Sequence, residues 1–581
     1  MRYPLTLLAC LAVLHTLPAR AQLLELTLEG LEGELRENTL AWLGDAPQTP
    51  QARSNYIYSA RSKIEQSLQA LGYYRPDINF DLTRGSEAWQ LLVTIDPGEP
   101  VVYGDIDVRI VGDASTDPEF DKLLAQMPLK QGEVLNHAVY ERFRRSISNL
   151  ALQRGYFDGR FDTAQVAVEP VSGMADVTIH YDSGARYRFG PLSYDQNIVK
   201  PGLLEPLFGV QRGEFYNQRL LQETQADLQR TGFFSTVILR PQLNAAAEGE
   251  VPLSLDLFPA KRHRINVGVG FSTDTQERVS LTWRTPRINR HGHSQETRLQ
   301  YSEINPSGRV IYNIPLSHPL NDVLQLSARV EDNEFGDLDS NQQELGVRRE
   351  IKSDEWIYAY SIRGLNEAWN AQGIDRENDY LLPGFSLSQR VHQGSLVNPS
   401  GGFSHWYRAE AGSSDLGSDV DLLRLTANYG FIHTLGERHR MVLRADLGAV
   451  FIGEKERDQL APSLNFFAGG NQSLRGYGYQ SIGNEVTVIA DDGKPVNLVV
   501  GGDRLLTGSV EYQYSFNQNW RGALFVDAGD AFDEGDFEAN VGAGFGVHYV
   551  TPIGAIRLDL ANPVTDDNPD WRFHLSIGAE F

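Results

Sequence analysis

From about residue 262 to the C-terminus the chain alternates apolar and polar residues with a period of two, and this alternation restricts the fold more than any other feature. Ile265, Val267, Val269 and Phe271 take one side of a strand, while Asn266, Gly268, Gly270 and Ser272 take the other. Leu425, Ala427, Tyr429 and Phe431 alternate with Arg424, Thr426, Asn428 and Gly430. Met441, Leu443, Ala445, Leu447, Ala449 and Phe451 oppose Arg444, Asp446 and Gly448. Trp571, Phe573, Leu575, Ile577, Ala579 and Phe581 are set against Arg572, His574, Ser576, Gly578 and Glu580. A soluble antiparallel sandwich alternates too. Here the segments run about ten residues, the apolar face is rich in aromatics, and the other face holds arginines and acids, as in strands with lipid on one side and a watery lumen on the other. Residues 262–581 number 320. At roughly 20 residues per strand plus connection this predicts about 16 strands, closed into a transmembrane antiparallel barrel so that no edge meets lipid.

Residues 22–260 have a different texture and contain a repeat. A glycine followed by two aromatics ends a helical pattern three times, at Gly72-Tyr73-Tyr74, Gly155-Tyr156-Phe157 and Gly232-Phe233-Phe234. Ile57, Ala60, Ile64, Leu68 and Leu71 recur every three or four positions before the first, and Tyr140, Phe143, Ile147 and Leu150 before the second. Each set predicts one buried helix face, stopped by a left-handed glycine. Gly132-Glu133-Val134-Leu135-Asn136 matches Gly213-Glu214-Phe215-Tyr216-Asn217, with the asparagine placed as helix N-cap. Strands such as Val93-Thr94-Ile95 and Val177-Thr178-Ile179 close the units. The expected α+β repeat reads β-α-α-β-β.

Met1-Arg2, the apolar run Leu5–Leu17 and Ala19-Arg20-Ala21 have the pattern of a secretory signal peptide over 1–21, with the mature chain starting at Gln22. Cys10, the only cysteine, lies inside it, so cysteine chemistry is excluded from the mature chain. A lipid-attachment box at Leu7-Leu8-Ala9-Cys10 would leave almost no apolar region before its cut. The formal charge of -24 argues against nucleic acid as a partner. Past residue 22 no apolar run approaches the roughly 18 residues of a transmembrane helix.

Enzymatic motifs are missing: there is no G-x-S-x-G elbow, H-E-x-x-H helix or G-x-x-x-x-G-K-S/T loop. His291-x-His293 reads as a solvated turn, with no third ligand nearby in sequence. Neither a metal nor a cofactor is expected.

The longest break in the alternation, from about 453 to 505, contains Ser473-Leu474-Arg475-Gly476-Tyr477-Gly478-Tyr479. Strand-like segments follow at about 506–516, 519–529, 540–549, 553–561 and 571–581. Counting faces puts Glu511, Arg521 and Asp527 in the lumen. A loop folded inward would let Arg475 fork onto those carboxylates. A solvated surface loop with incidental charges fits the pattern equally well.

The Leu474-Arg475-Gly476-Tyr477 string resembles the V/I-R-G-Y/F lid-loop motif of the outer-membrane assembly and two-partner secretion superfamily to which BamA belongs. Phe525-Val526-Asp527-Ala528-Gly529 looks like that family's F-x-D-x-G strand motif, and Gly501-Gly502 with Glu511-Tyr512 is similar to the motif before it. The repeats resemble POTRA domains, and three of them at this length look most like the TamA branch. Leu474 replaces the usual valine or isoleucine. Phe581 fits the family's terminal aromatic, whereas Ala579 stands where another aromatic is common. The resemblance implies POTRA domains at 22–98, 99–184 and 185–261 in the periplasm, a barrel at 262–581 in the outer membrane, and a lid loop bound by Glu511, Phe525, Asp527 and Gly529.

It further implies an assembly factor for client outer-membrane proteins such as autotransporters, working as a monomeric barrel in the lipid bilayer. Its partner would be a large inner-membrane-anchored protein similar to TamB, met by the first repeat. The first barrel strand, near 263–272, is expected to pair with the last, near 571–581. At that seam Val267, Gly268 and Gly270 face Ile577, Gly578 and Phe581, and the glycines thin the contacts. A weak seam could open to lipid and offer its edges to a client strand. Two rivals share the barrel: a two-partner-type pore passing clients through the lumen, and a passive porin, which needs no periplasmic arm.

Overall fold

The computed structural model describes residues 24–578 except 46, 48, 86–87, 372–373, 396–397, 490–494, 553 and 567–568. The expected signal peptide, Gln22, Ala579 and Phe581 lie outside the described residues. The chain divides into two compact units, one of residues up to 192 with 210–221 and 241–253, the other of 193–209, 222–240 and 254 onward.

In the first unit two modules follow the expected order. Strand Leu24–Glu29, helices Gly33–Leu43 and Pro50–Gln69, and strands Asp77–Arg84 and Trp89–Asp96 form the first. Its last strand is central, parallel to the first and antiparallel to the second. The longer helix starts where Thr49 accepts a hydrogen bond from the Ala52 N–H at 3.1 Å, with Pro50 in its first turn. Ala60, Ile64 and Leu68 bury its apolar face against Leu91, Val93 and Ile95. The second module has strand Val102–Val111, helices Pro118–Ala125 and His137–Arg154, and strands Arg160–Glu169 and Met174–Asp182. Asn136 caps its long helix, accepting from the N–H groups of Ala138 (3.0 Å) and Val139 (3.3 Å).

The glycines of the repeated motif stop these helices and also join successive repeats. Gly72 and Gly155 have φ of +94° and +90°, a backbone state that side chains disfavour. The Gly72 carbonyl accepts from the Val101 N–H and the Gly155 carbonyl from the Tyr187 N–H, each at 2.9 Å. A Cβ at Gly155 would lie 2.6 Å from the Cβ of Tyr216.

A third stretch has strand Arg188–Tyr194, helix Gln218–Arg230 and strands Phe234–Pro241 and Glu250–Pro259. It departs from the expected order. Where the other modules have their first helix it has two short 3-10 turns, Pro201–Leu203 and Glu205–Leu207. Pro201 and Pro206 remove backbone donors there, and a 3-10 turn loses less by that than an α-helix.

From Arg264 onward a 16-stranded antiparallel sheet runs in sequence order, except that strand His439–Ile452 pairs with Arg504–Ser515 across the long loop. Strands lengthen from 9 residues at Arg264–Ser272 to 21 at Ile374–Gly394, and the last runs from Arg572 to the end of the described residues at Gly578. The five strands after the long loop are Arg504–Ser515, Trp520–Phe532, Asn540–Thr551, Gly554–Pro563 and Arg572–Gly578. The outer face is the apolar one, with Val269 83% exposed and Trp283, Tyr301, Leu345, Leu524 and Phe573 also open. Charge lies inside: Arg363 holds Glu410 at 2.7 Å and Glu344 at 3.2 Å. A soluble sandwich would bury the first set and expose the second, whereas a membrane cylinder does the reverse.

The expected pairing of first and last strands needs correction. The strand order begins at Arg264–Ser272 and ends at Arg572–Gly578, and no ladder joins those two strands among the described residues. The Thr273 N–H donates to the Leu575 carbonyl at 3.2 Å, and the Leu575 N–H to Thr273 Oγ1 at 3.3 Å. Continued along the strands, that register would set Phe271 against Ile577, so Val267 and Ile577 are not opposite each other. Space opens beside Gly270, where an added Cβ would touch nothing within 4 Å. A cavity of about 600 Å³ lies there, lined by Gly268, Gly270, Arg278, Asn471 and Ser576 among others.

Gly155→Ala is expected to destabilise the helical arm by more than the ~1–2 kcal/mol of a left-handed alanine, because its Cβ also meets Tyr216. Gly132→Ala, at a positive φ with open space around it, should cost only the conformational part. Urea titration of the full chain in detergent, followed by helical circular dichroism, checks the order of the two variants.

Candidate functional site

The loop between strands His439–Ile452 and Arg504–Ser515 folds back into the barrel. Its base is closed by the Val450 N–H donating to the Asp503 carbonyl at 2.7 Å and by Arg457 on Asp503 at 2.9 Å. Tyr380 OH donates to the Gln459 carbonyl and accepts from the Ala461 N–H, both at 2.9 Å. Glu367, wholly buried, accepts from the Ser463 N–H at 3.1 Å and from the hydroxyls of Ser463 and Ser340. Phe466 and Gly502 exchange backbone hydrogen bonds, as do Ala468 and Ile482. Farther along, an unexpected hairpin, Glu485–Ile489 with Pro495–Val499, leans on the turn at Asp337, whose carboxylate accepts from the Val499 N–H at 2.7 Å.

These contacts enclose an apolar core inside the cylinder. Leu460, Leu464, Phe466, Leu474, Tyr477 and Ile482 of the loop pack with Leu365, Trp369, Tyr380, Leu382, Leu422 and Val450 of the wall. At this level the lumen is filled by packed apolar side chains, where the alternation led us to expect a polar interior.

Beyond Leu474, itself buried, Arg475 is 2% exposed and Asp527 0%. Arg475 donates from Nε to Asp527 Oδ2 at 2.7 Å, from Nη2 to Oδ1 at 2.9 Å, and from its backbone N–H to Oδ2 at 3.0 Å. Nη1 reaches Glu511 Oε2 at 2.6 Å and Asp559 Oδ2 at 3.2 Å, and Nη2 reaches Ser509 Oγ at 3.3 Å. The guanidinium lies over the Phe525 ring, 3.4 Å from its centroid. Strand alternation supplies these partners from three strands: Ser509 and Glu511, Phe525 and Asp527, and Asp559. Register then sets Ser509 beside Asp527 and Glu511 beside Phe525.

The strand Asn540–Thr551 makes room for the motif through absent side chains. A Cβ at Gly542 would sit 1.9 Å from the Arg475 carbonyl oxygen, one at Gly544 2.6 Å from the Phe525 ring, and one at Gly546 1.9 Å from Asp559 Oδ1. Gly476, at φ +99°, presents its N–H to His574 Nε2 at 2.9 Å on the last strand. Tyr477 OH hydrogen-bonds Thr565 Oγ1 at 2.9 Å.

The structure thus brings together Leu474, Arg475, Gly476 and Tyr477 with Glu511, Phe525 and Asp527. Gly529 stands apart: its backbone closes on the neighbouring strand, where a Cβ would lie 2.2 Å from the Leu506 carbonyl oxygen. Arg521 donates to Asn398 Oδ1 at 2.9 Å and to Gln513 Oε1 at 3.4 Å. Asp559, Ser509, His574, Asn471 and the glycines from 542 to 546 were not singled out from sequence. Face counting could have found Asp559 and His574, which share the inward parity of Glu511 and Asp527 on their own strands. His293 hydrogen-bonds Tyr312 OH at 2.9 Å, and no group of three potential metal ligands occurs among the described residues.

The chain is similar to known proteins along much of its length. Residues 261–581 match the Omp85 superfamily domain, residues 25–97 the POTRA domain TamA domain 1, and residues 106–184 the POTRA family described as surface antigen variable number repeat. The chain is similar to the outer membrane protein assembly factor BamA of Nitratidesulfovibrio vulgaris (strain Hildenborough), 23% identical over 395 residues, which are 64% of this chain and 48% of that protein. It spans about half the length of that curated relative. Its fold is similar to that of BamA from Haemophilus ducreyi lacking POTRA domains 1–3, at TM-score 0.65 and 16% identity, covering 82% of this chain and 100% of that one. CdiB from Acinetobacter baumannii aligns at TM-score 0.46 and 12% identity over 83% of this chain and 90% of that one.

Arg475→Ala leaves three carboxylates buried without their cation, a change that costs about 3–5 kcal/mol when a buried pair is broken. Both it and Gly542→Val, which fills the space of the Arg475 carbonyl, are expected to release the loop. Limited proteolysis of the folded barrel should then cut within residues 469–482, where the wild type is protected. Protection equal to wild type in both variants would contradict the assigned contacts.

Proposed function

The chain belongs to the Omp85 superfamily, and from that membership we propose that it assembles or secretes client outer-membrane proteins, autotransporters among them, through a laterally opening barrel seam. Its TamA-type first domain makes it a TamA-like member of the BamA/TamA group. It lies in the outer membrane, with its POTRA domains in the periplasm.

The seam carries the reading. Every other neighbouring pair of barrel strands is joined by a ladder, whereas among the described residues the first and last strands are linked directly near Thr273 and Leu575 by one backbone bond and a hydroxyl. A strand edge left unpaired is a template for a client strand. Passage through the lumen, as in a two-partner secretion pore, would have to break the apolar core and expose the carboxylates around Arg475. The seam opens at the loss of far fewer contacts.

A large inner-membrane-anchored, TamB-like partner is assigned to the first arm domain, a reading supported by that domain's TamA-type match. Such a protein should co-purify with the intact chain and be lost when the first domain is deleted. Retention without that domain would refute the assignment.

Phe271→Cys with Ile577→Cys places two thiols across the seam by the register of the Thr273–Leu575 bond. Oxidation should lower client assembly several-fold and reductant should restore it. Assembly at the normal rate with the disulfide formed would rule out lateral opening.

A further inference from the structure

We propose that Asn471, in the turn of the lid loop before the arginine motif, is a latch that holds the first and last strands together, so that lid position and seam state change as one. The functional meaning rests on the lateral-opening reading, while the latch itself stands on contacts at the seam.

Asn471 is 8% exposed. Its side-chain Nδ2 faces Ser272 Oγ at 3.1 Å and Thr273 Oγ1 at 3.3 Å, at the end of the first strand, and the Leu575 carbonyl at 3.2 Å, on the last. Its Oδ1 accepts from Thr273 Oγ1 at 3.3 Å and hydrogen-bonds His574 Nδ1. Its backbone N–H donates to Asp274 Oδ2 at 2.8 Å. One residue of a loop about 200 positions from the first strand therefore touches both sides of the gap.

Chemistry fixes the amide's orientation. The Leu575 carbonyl can only accept, so the amide nitrogen must face it. The Gly476 N–H occupies His574 Nε2, so the proton of a neutral His574 ring sits on Nδ1 and is donated to Asn471 Oδ1. His574 on the last strand is thus gripped twice by the loop, through Asn471 and through Gly476. Asn471 lies four residues before Arg475, on the other side of a tight turn closed by the Gly470 N–H donating to the Leu474 carbonyl at 3.1 Å. The ion cluster holds that turn against the wall, and the turn holds the seam.

Set beside the direct Thr273–Leu575 links, the Asn471 side chain supplies most of the polar contacts that bridge the gap among the described residues. Two consequences follow. The seam cannot part at Leu575 unless Asn471 lets go of one strand, and a lid withdrawn from the wall leaves the seam with its direct links alone.

The test uses the full chain in lipid nanodiscs, with spin labels at 271 and 577, and measures the distance distribution across the seam. Asn471→Leu removes donor and acceptor at similar size; Asn471→Asp keeps the shape but cannot donate to Leu575. Heat-modifiable gel mobility confirms that each barrel is folded, and the aspartate variant serves if the leucine variant is not. Either variant should shift the distribution towards longer distances and slow disulfide formation between cysteines at 271 and 577 several-fold. Gln472→Ala, at an exposed side chain of the same turn, should change neither. Wild-type distances in a folded Asn471 variant would overturn the latch. A widened seam with unchanged client assembly would leave the latch standing and refute lateral opening as the route.

Discussion

A guanidinium sealed among carboxylates inside a membrane cylinder is the contact on which the rest of this structure depends. Asp527, Glu511 and Asp559 come from three strands, and without Arg475 they would leave buried carboxylates uncompensated at one level of the barrel. The arginine that forks onto Asp527 comes from the loop and not from the wall. The barrel therefore reaches its low-energy state only with the loop from Leu460 to Ile482 drawn in, and the apolar core around Phe466, Leu474 and Tyr477 follows from that requirement. Small residues complete the arrangement: Gly542, Gly544 and Gly546 form the trough in which the arginine's backbone, the Phe525 ring and the Asp559 carboxylate fit.

The same loop links two features that are far apart in the chain. Its inward fold brings Asn471 against the only pair of neighbouring barrel strands that lacks a ladder among the described residues. A cylinder with fifteen laddered joints and one weak one has a preferred place to open, and here that place is governed by the element that fills the lumen. In a membrane the open edges would be costly unless another strand satisfied them, which ties opening to the arrival of a client.

Much of this was legible in the sequence because it rests on local periodicity. Ile265, Val267 and Val269 announced a lipid face, and the strands after the loop began within a few residues of where alternation resumed. The Gly-aromatic-aromatic motif marked true helix stops, and Asn136 is the cap that its position promised. Arg475 with Asp527 and Glu511 was reached by counting faces, and the family resemblance chose between an inserted loop and a solvated one.

The remainder depends on register and on long-range packing, which alternation does not encode. Shifting the seam by a few residues leaves every face unchanged, so the offset that sets Phe271 against Ile577 could not be read. Leu365, Trp369 and Leu382 point inward, against the polar-inside rule, because the loop covers them. Asn471 and His574 look like ordinary polar residues until the fold brings them together. Hydrogen–deuterium exchange of the membrane-embedded full chain tests the central claim most directly. The amides of residues 474–477 should exchange as slowly as those of strand Arg504–Ser515, and exchange as fast as at the exposed Gly436 turn would contradict a loop sealed within the barrel.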